Sequence, residues 1–248
     1  MKKRFAAVIA AGVLALSGCS LLNKNTYSAI GSYDFSEMNL VQLEEPKDGQ
    51  MLAVIETTEG TIKAVLYPEY APNTVDNFVN RANEGYYDGK DVYAVVNSSL
   101  FMTGSYNEEG TQGYTNDGNP IPNEHSVDLW TFKGALCSYN GQSGYGDSRF
   151  FVVDEYPLSD EEVEELRAIK DSEGNRKVPD ELIDAFVSEG CIAPLAGRYT
   201  VFGQTIEGFD VVAKICDAEV EEKTNKPLSE IKINSIKITE YKSSEEEA

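Results

Sequence analysis

The sequence predicts an antiparallel β barrel with a few capping helices, and three observations carry that reading. The predicted elements run strands, helix, many strands and loops, helix, strand, which is neither the alternation of a parallel sheet nor a helical bundle. The chain has 248 residues with a 41% hydrophobic and 10% aromatic share, enough for one sizeable core. The core region also opens on a hairpin: Leu52 to Thr57 and Thr61 to Leu66 are strand-like and joined by Thr58-Glu59-Gly60.

The first residues stand apart from that core. Lys2-Lys3-Arg4 is a charged lead, and Phe5 to Leu16 is an apolar run too short to span a bilayer stably. Leu16-Ser17-Gly18-Cys19 then resembles the bacterial lipobox. That resemblance implies cleavage before Cys19, lipidation of its thiol and an extracytoplasmic, membrane-anchored address; two or more acyl chains anchor stably. Loss of Lys2, Lys3 and Arg4 makes the formal charge of -21 more negative still. A surface this acidic excludes nucleic-acid partners. Residues 1–18 are thus read as a signal, 19–50 as lipidated N-terminus and tether, 51–241 as one domain and 242–248 as an acidic tail. Within the tether, Leu40, Val41 and Leu43 could pack locally on the domain.

After the hairpin, Ala71-Pro72-Asn73-Thr74 opens a helix with Pro72 in its first turn. Val75, Phe78, Val79 and Ala82 form its apolar face, and Gly85 stops it. Tyr86-Tyr87-Asp88-Gly89 is a turn and Val92 to Val96 a strand. Residues 103 to 128 are loop-rich. Gly134 to Val153 reads as strand, glycine-rich loop, strand: Ala135-Leu136-Cys137 and Phe150 to Val153 flank Asn140, Gly141, Gly144, Gly146 and Asp147. A polar loop between two core strands belongs at the surface, where binding concentrates. An insertion over about 158–193 carries two helices. Ser159 with Glu162 makes a capping box for the first, and Pro179 starts the second, which ends at Gly190. Tyr199 to Gln204 is a strand, Phe209 to Ile215 a helix and Ile231 to Thr239 the last strand.

Cys137, Cys191 and Cys216 remain beside Cys19, in spacings that fit no metal pattern; one disulfide or three buried thiols are both open. The only histidine is His125. A histidine zinc site or a Ser-His-Asp triad would have to rest on it alone, which argues against both. No metal or other cofactor is expected.

From Leu52 to Thr239 the chain resembles the cyclophilin family of peptidyl-prolyl isomerases. The matching pieces are Thr58-Glu59-Gly60-Thr61-Ile62-Lys63, Tyr67-Pro68-Glu69, Ala71 to Phe78, Gly85-Tyr86-Tyr87-Asp88-Gly89, Gly134-Ala135-Leu136, Ser148-Arg149-Phe150-Phe151, Thr200-Val201-Phe202-Gly203 and Glu207 to Val212, in family order. The insertion ending in Gly190-Cys191-Ile192-Ala193-Pro194-Leu195 is similar to that of bacterial lipoprotein cyclophilins. The resemblance implies a mainly β fold, a closed eight-stranded antiparallel barrel with helices over its ends. It implies isomerisation of X-Pro bonds without a cofactor, in a monomer whose partners are proline-containing peptides or unfolded exported proteins.

The implied site departs from the family pattern. The family's Phe-His-Arg falls on Val92-Tyr93-Ala94, so the catalytic arginine position is Ala94, which has no donor. Without a gap the family's Phe-Met-x-Gln falls on Ser99-Leu100-Phe101-Met102; a slipped register equates Phe101-Met102 with its Phe-Met. Asn140 matches the substrate-backbone asparagine and Phe151 the floor of the proline pocket. The Trp-Leu pair becomes Pro194-Leu195, the histidine becomes Tyr199, and Arg149 stands where a glutamine is usual. Arg149 either replaces the cation that Ala94 lacks or pairs with a nearby acid. The competing readings are an isomerase, possessing weak turnover; a non-catalytic binder of proline peptides; and a surface scaffold.

Overall fold

The computed structural model describes residues 27, 29–141 and 144–243. In chain order the strands are β1 Met51–Thr57, β2 Thr61–Leu66, β3 Lys90–Asp91, β4 Ala94–Val96, β5 Leu100–Thr103, β6 Ile121–Pro122, β7 Ala135–Ser138, β8 Tyr145–Gly146, β9 Phe150–Val153, β10 Val201–Glu207 and β11 Lys232–Glu240. The helices are α1 Pro72–Asn83, α2 Asp160–Arg167, α3 Asp180–Glu189 and α4 Phe209–Cys216.

Nine strands form one antiparallel sheet in the order β3-β11-β1-β2-β10-β7-β9-β5-β4, and β6 pairs with β8 separately. The sheet curls into a half-barrel. Its two edges, β3 and β4, are successive pieces of the segment from Lys90 to Val96, so covalent chain joins what the ladder leaves open. The expected eight-stranded ladder is therefore nine strands, because Val92 and Tyr93 leave the strand and divide it. The Val92 amide donates instead to the Ile231 carbonyl, and the Tyr93 amide to the Met102 carbonyl.

Alternation sorts the side chains. Ala53, Ile55, Ile62, Ala64, Phe101, Leu136, Phe150, Val152 and Phe202 point into the curl. Helix α1 closes one end as its apolar face predicts: Phe78 sits among Tyr87, Phe150 and Phe202, with ring centroids 5.3, 5.5 and 5.1 Å away. Val211, Val212 and Ile215 of α4 join the same core. The β1–β2 turn is tight against α4: Gly60 has φ +144°, and a Cβ there would lie 2.6 Å from a Val211 methyl carbon.

A third cluster forms on the insertion. The Ser159–Glu162 capping box is present in both directions, the Glu162 amide 3.3 Å from Ser159 Oγ and the Ser159 amide 2.8 Å from Glu162 Oε2. Leu166 of α2, and Leu182, Ile183 and Phe186 of α3, pack on Trp130, Phe132, Tyr27 and Ile30. Within the stretch read as a tether, Tyr27, Ile30, Tyr33, Phe35, Met38 and Leu40 pack on this cluster. Ile30 is fully buried, and Tyr33 and Phe35 lie against Trp130 with centroids 5.4 and 6.1 Å away. Tyr27, Ile30 and Tyr33 recur every third residue over too short a run to signal a helix. Of the three residues expected to pack locally, Leu40 and Val41 do and Leu43 is 44% exposed, because its 3-10 turn carries it outward. Cys19 and the leader lie outside the described residues.

Cys137, Cys191 and Cys216 are free and buried. Burial raises all three thiols above their ordinary pKa, Cys191 to about 12, so they are packing residues and poor nucleophiles.

Candidate functional site

The outer face of the curled sheet carries a second apolar cluster, separate from the barrel core. The strand registers build it as a row. Ala94 is opposite Met102, Met102 opposite Phe151, and Phe151 opposite Cys137. Residues directly opposite across an antiparallel pair share a face. Two strand spacings separate Ala94 from Phe151, roughly 10 Å. Leu100 lies in the next row, opposite Val96 and Val153. Phe101 faces the other way, opposite Val95 and Val152, inside the barrel. The alternation therefore places Leu100 and Met102 on the site face and takes Phe101 off it. Of the two registers considered from the sequence, the ungapped one already leaves Phe101 at the unassigned position between Leu100 and Met102, and the slipped one puts Phe101 on the site.

Two further elements rim the row. The 3-10 turn Ala193–Leu195 presents Leu195 to the cluster, and Tyr199 stands edge-on over Phe151 at 5.1 Å and 90°. The platform is closely covered: Phe151 is 2% exposed, Met102 6% and Leu195 5%, so a ligand side chain has to displace something to reach the floor. Asn140 sits at the mouth, its Nδ2 donating to Asn123 Oδ1 at 3.3 Å and to the Arg198 carbonyl at 3.2 Å.

Arg149 immediately precedes β9 and is two residues from Phe151, one pleat or roughly 7 Å along the strand. Its Nε and Nη2 grip the Asp147 carboxylate, with contacts at 3.0, 3.1 and 2.6 Å. Its Nη1 donates to the Gly110 carbonyl at 2.9 Å, and its guanidinium lies 4.9 Å over the Tyr139 ring. A guanidinium has five N–H donors. The pairing with Asp147 is the acidic partner that the sequence left open, and it does not consume them all.

Gly110 belongs to a loop that folds over Tyr93. Asn107 Oδ1 accepts from Ser105 Oγ and from the amides of Thr111 and Gln112, which makes the loop a compact unit. Gly110 has φ +73°, and a Cβ on it would lie only 2.2 Å from the Tyr93 ring, so glycine alone fits this contact. The Tyr93 side chain is buried beneath it, and its hydroxyl has no hydrogen-bond partner among the described residues.

Glu124 is a residue sequence reasoning missed. Its Oε1 accepts from the Asn73 amide and Nδ2 at 2.9 and 2.7 Å, and its Oε2 from the Thr74 amide and Oγ1 at 2.9 and 2.7 Å. It caps α1 across the fold, where Ala71 offers no side-chain acceptor. Its own amide donates to Thr200 Oγ1 at 2.8 Å, so Asn123 and Tyr199 are tied to α1 through one carboxylate. A glutamate 50 residues from the helix it caps leaves no local pattern to read. Among the described residues no cluster of His, Cys, Asp and Glu could hold a metal ion.

Comparison with known proteins fits this architecture. Residues 52–238 match the family described as cyclophilin type peptidyl-prolyl cis-trans isomerase/CLD. The chain belongs to the cyclophilin-type peptidyl-prolyl isomerases. A putative peptidyl-prolyl cis-trans isomerase of Staphylococcus saprophyticus is 32% identical over 203 residues, 82% of this chain and 99% of that protein. One of Staphylococcus aureus is 30% identical over 197 residues, 79% of this chain and 96% of its own length. A Cryptosporidium parvum cyclophilin, crystallised in the presence of the dipeptide Ala-Pro, superposes with a TM-score of 0.55 at 19% identity, over 76% of this chain and 98% of its own. That last likeness concerns the fold. In this cyclophilin the apolar row of Met102 and Phe151 stands beside Ala94, without a donor, and Arg149, already paired.

Proposed function

We propose that this cyclophilin is a slow prolyl isomerase of the extracytoplasmic surface. It is anchored through lipidated Cys19 and acts as a monomer on proline-containing segments of exported proteins. One observation carries the reading. The apolar platform of Met102, Phe151, Leu195 and Tyr199 includes Phe151, two residues along the chain from Arg149, while Ala94 has no polar side chain. The Ala-Pro dipeptide present with the Cryptosporidium cyclophilin supports a proline as the ligand for that platform.

An X-Pro bond turns against a barrier on the order of 20 kcal/mol, because resonance resists twisting. A donor that engages the amide more strongly when twisted lowers that barrier; a platform that holds both states equally does not. Loss of one such donor costs roughly 100- to 1,000-fold. The charge on Arg149 is already engaged by Asp147, so the remaining N–H groups polarise an amide less than a free guanidinium. Turnover is correspondingly low but above background. Proteins leaving the cytoplasm fold beside the membrane, and the docked segment keeps the domain there. The chain between Cys19 and Tyr27 spans under about 30 Å even when fully extended.

The test is a protease-coupled assay on an Ala-Ala-Pro-Phe peptide with the full-length protein, its Ala94→Arg and its Arg149→Ala variants. The expected result is weak wild-type turnover, a gain of about 100-fold on Ala94→Arg and a loss on Arg149→Ala. Peptide binding without turnover in wild type would make it a binder, a reading that the Asp147 pairing of Arg149 favours. No binding in any variant would leave the scaffold reading.

A further inference from the structure

We propose that the Tyr93 hydroxyl is a second hydrogen-bond donor to the bound peptide, covered at rest by the Gly110 loop that Arg149 latches. The inference rests on reading the outer face as the proline-peptide site. Tyr93 belongs to the same apolar cluster as Ala94, Met102 and Phe151, so it stands on the site face and not in the barrel. A buried hydroxyl without a partner is uncommon and destabilises the fold. Here that hydroxyl is left unpaired beside Ala94, which has no donor.

The cover is specific. Gly110 presses on the ring face, and the Gly110 carbonyl is held by Arg149 Nη1 at 2.9 Å. One contact thus occupies both Arg149 and Tyr93. Arg149 keeps further Nη hydrogens beside those held by Asp147 and Gly110. A peptide carbonyl that replaces Gly110 on Nη1 releases the loop, and the same movement uncovers the phenol. The exchange is balanced: one acceptor replaces another on Arg149, and the peptide gains a donor that the described residues leave unused at rest. Burial, above all, raises the Tyr93 pKa, which keeps the phenol protonated and therefore a donor. The compact hydrogen bonding around Asn107 allows the loop to move as one body.

Tyr93→Phe in the full-length protein isolates the hydroxyl. Removal of a group that is only an unsatisfied burial leaves the melting temperature unchanged or raises it, and leaves peptide binding alone. A donor to the peptide gives opposite signs in the two measurements. The expected result is a melting temperature at or above wild type, with about 5- to 10-fold weaker binding of the Ala-Ala-Pro-Phe peptide by calorimetry, the worth of one hydrogen bond. Wild-type binding that Tyr93→Phe leaves unchanged overturns this inference alone. Absence of wild-type binding overturns the peptide-site reading and this inference with it. A second arm follows hydrogen exchange at the Tyr114 amide, which ties the end of the loop to Ser148 Oγ at 3.1 Å: peptide speeds it if the loop lifts, and unchanged or slowed exchange at saturating peptide overturns the latch.

Discussion

Replacing Glu124 with alanine removes a cap that the α1 sequence cannot supply for itself. In wild type the carboxylate accepts four hydrogen bonds, two from amides in the first turn of α1 and two from the side chains of Asn73 and Thr74. An N-terminal cap is worth about 1 kcal/mol. A carboxylate at the positive end of a helix adds roughly 0.3–1 kcal/mol. The two side-chain bonds are partly solvated, and together contribute on the order of 1 kcal/mol. Glu124→Ala should therefore cost about 2–3 kcal/mol. For a domain of this size that lowers the melting temperature by roughly 4–10 °C. Glu124→Gln keeps one acceptor but turns an NH2 group toward two donors, and should lose at least half as much. Thermal melts and urea titrations measure the cost, and hydrogen exchange at the Asn73 and Thr74 amides locates it. A melting temperature within 1 °C of wild type for Glu124→Ala, with both amides still protected, would refute the reasoning.

Ile30→Ala should cost about 3 kcal/mol by cavity formation, and limited proteolysis should then cut within residues 29–43, which pack on the insertion cluster in wild type. Asp154 is buried with Oδ1 unpaired, and its pKa is raised, first by burial. A carboxyl that binds its proton more tightly when folded contributes stability below the unfolded pKa near 3.8 and loses it as pH rises through the folded pKa. Asp154→Asn should accordingly raise the melting temperature at pH 7, by the equivalent of about 1 kcal/mol, and the gain should vanish toward pH 3.8 in melts across pH. Gly104→Ala should destabilise by roughly 2 kcal/mol in urea titrations, because φ is +78° and the new Cβ would meet the Ser148 carbonyl oxygen at 2.3 Å.

The elements with a period were legible. The hairpin, the apolar face of α1, the capping box and the Gly134 to Val153 pair of strands all occur where the pattern put them, because each is fixed by neighbours in sequence. The site was legible only in part. Phe151, Leu195, Tyr199 and Met102 do share one face, but Phe101 does not, since the turn at Asn97 to Ser99 sets which residues of β5 face outward. The Asp147–Arg149 pair was close at hand in sequence. The Gly110 loop over Tyr93 and the Glu124 cap were not, since both join segments far apart along the chain.

The half-barrel meets itself at Lys90 to Val96, and Ala94 stands in that seam, on an edge strand of three residues. An edge strand shares only one flank with the ladder. Ala94 is buried in the outer apolar cluster, so a larger side chain there has to find room on that face, away from the barrel core. The outer face that carries the candidate site is therefore separate from the inner face that carries the core. Such an architecture lets substitutions accumulate on one face of the sheet while the other face keeps the fold.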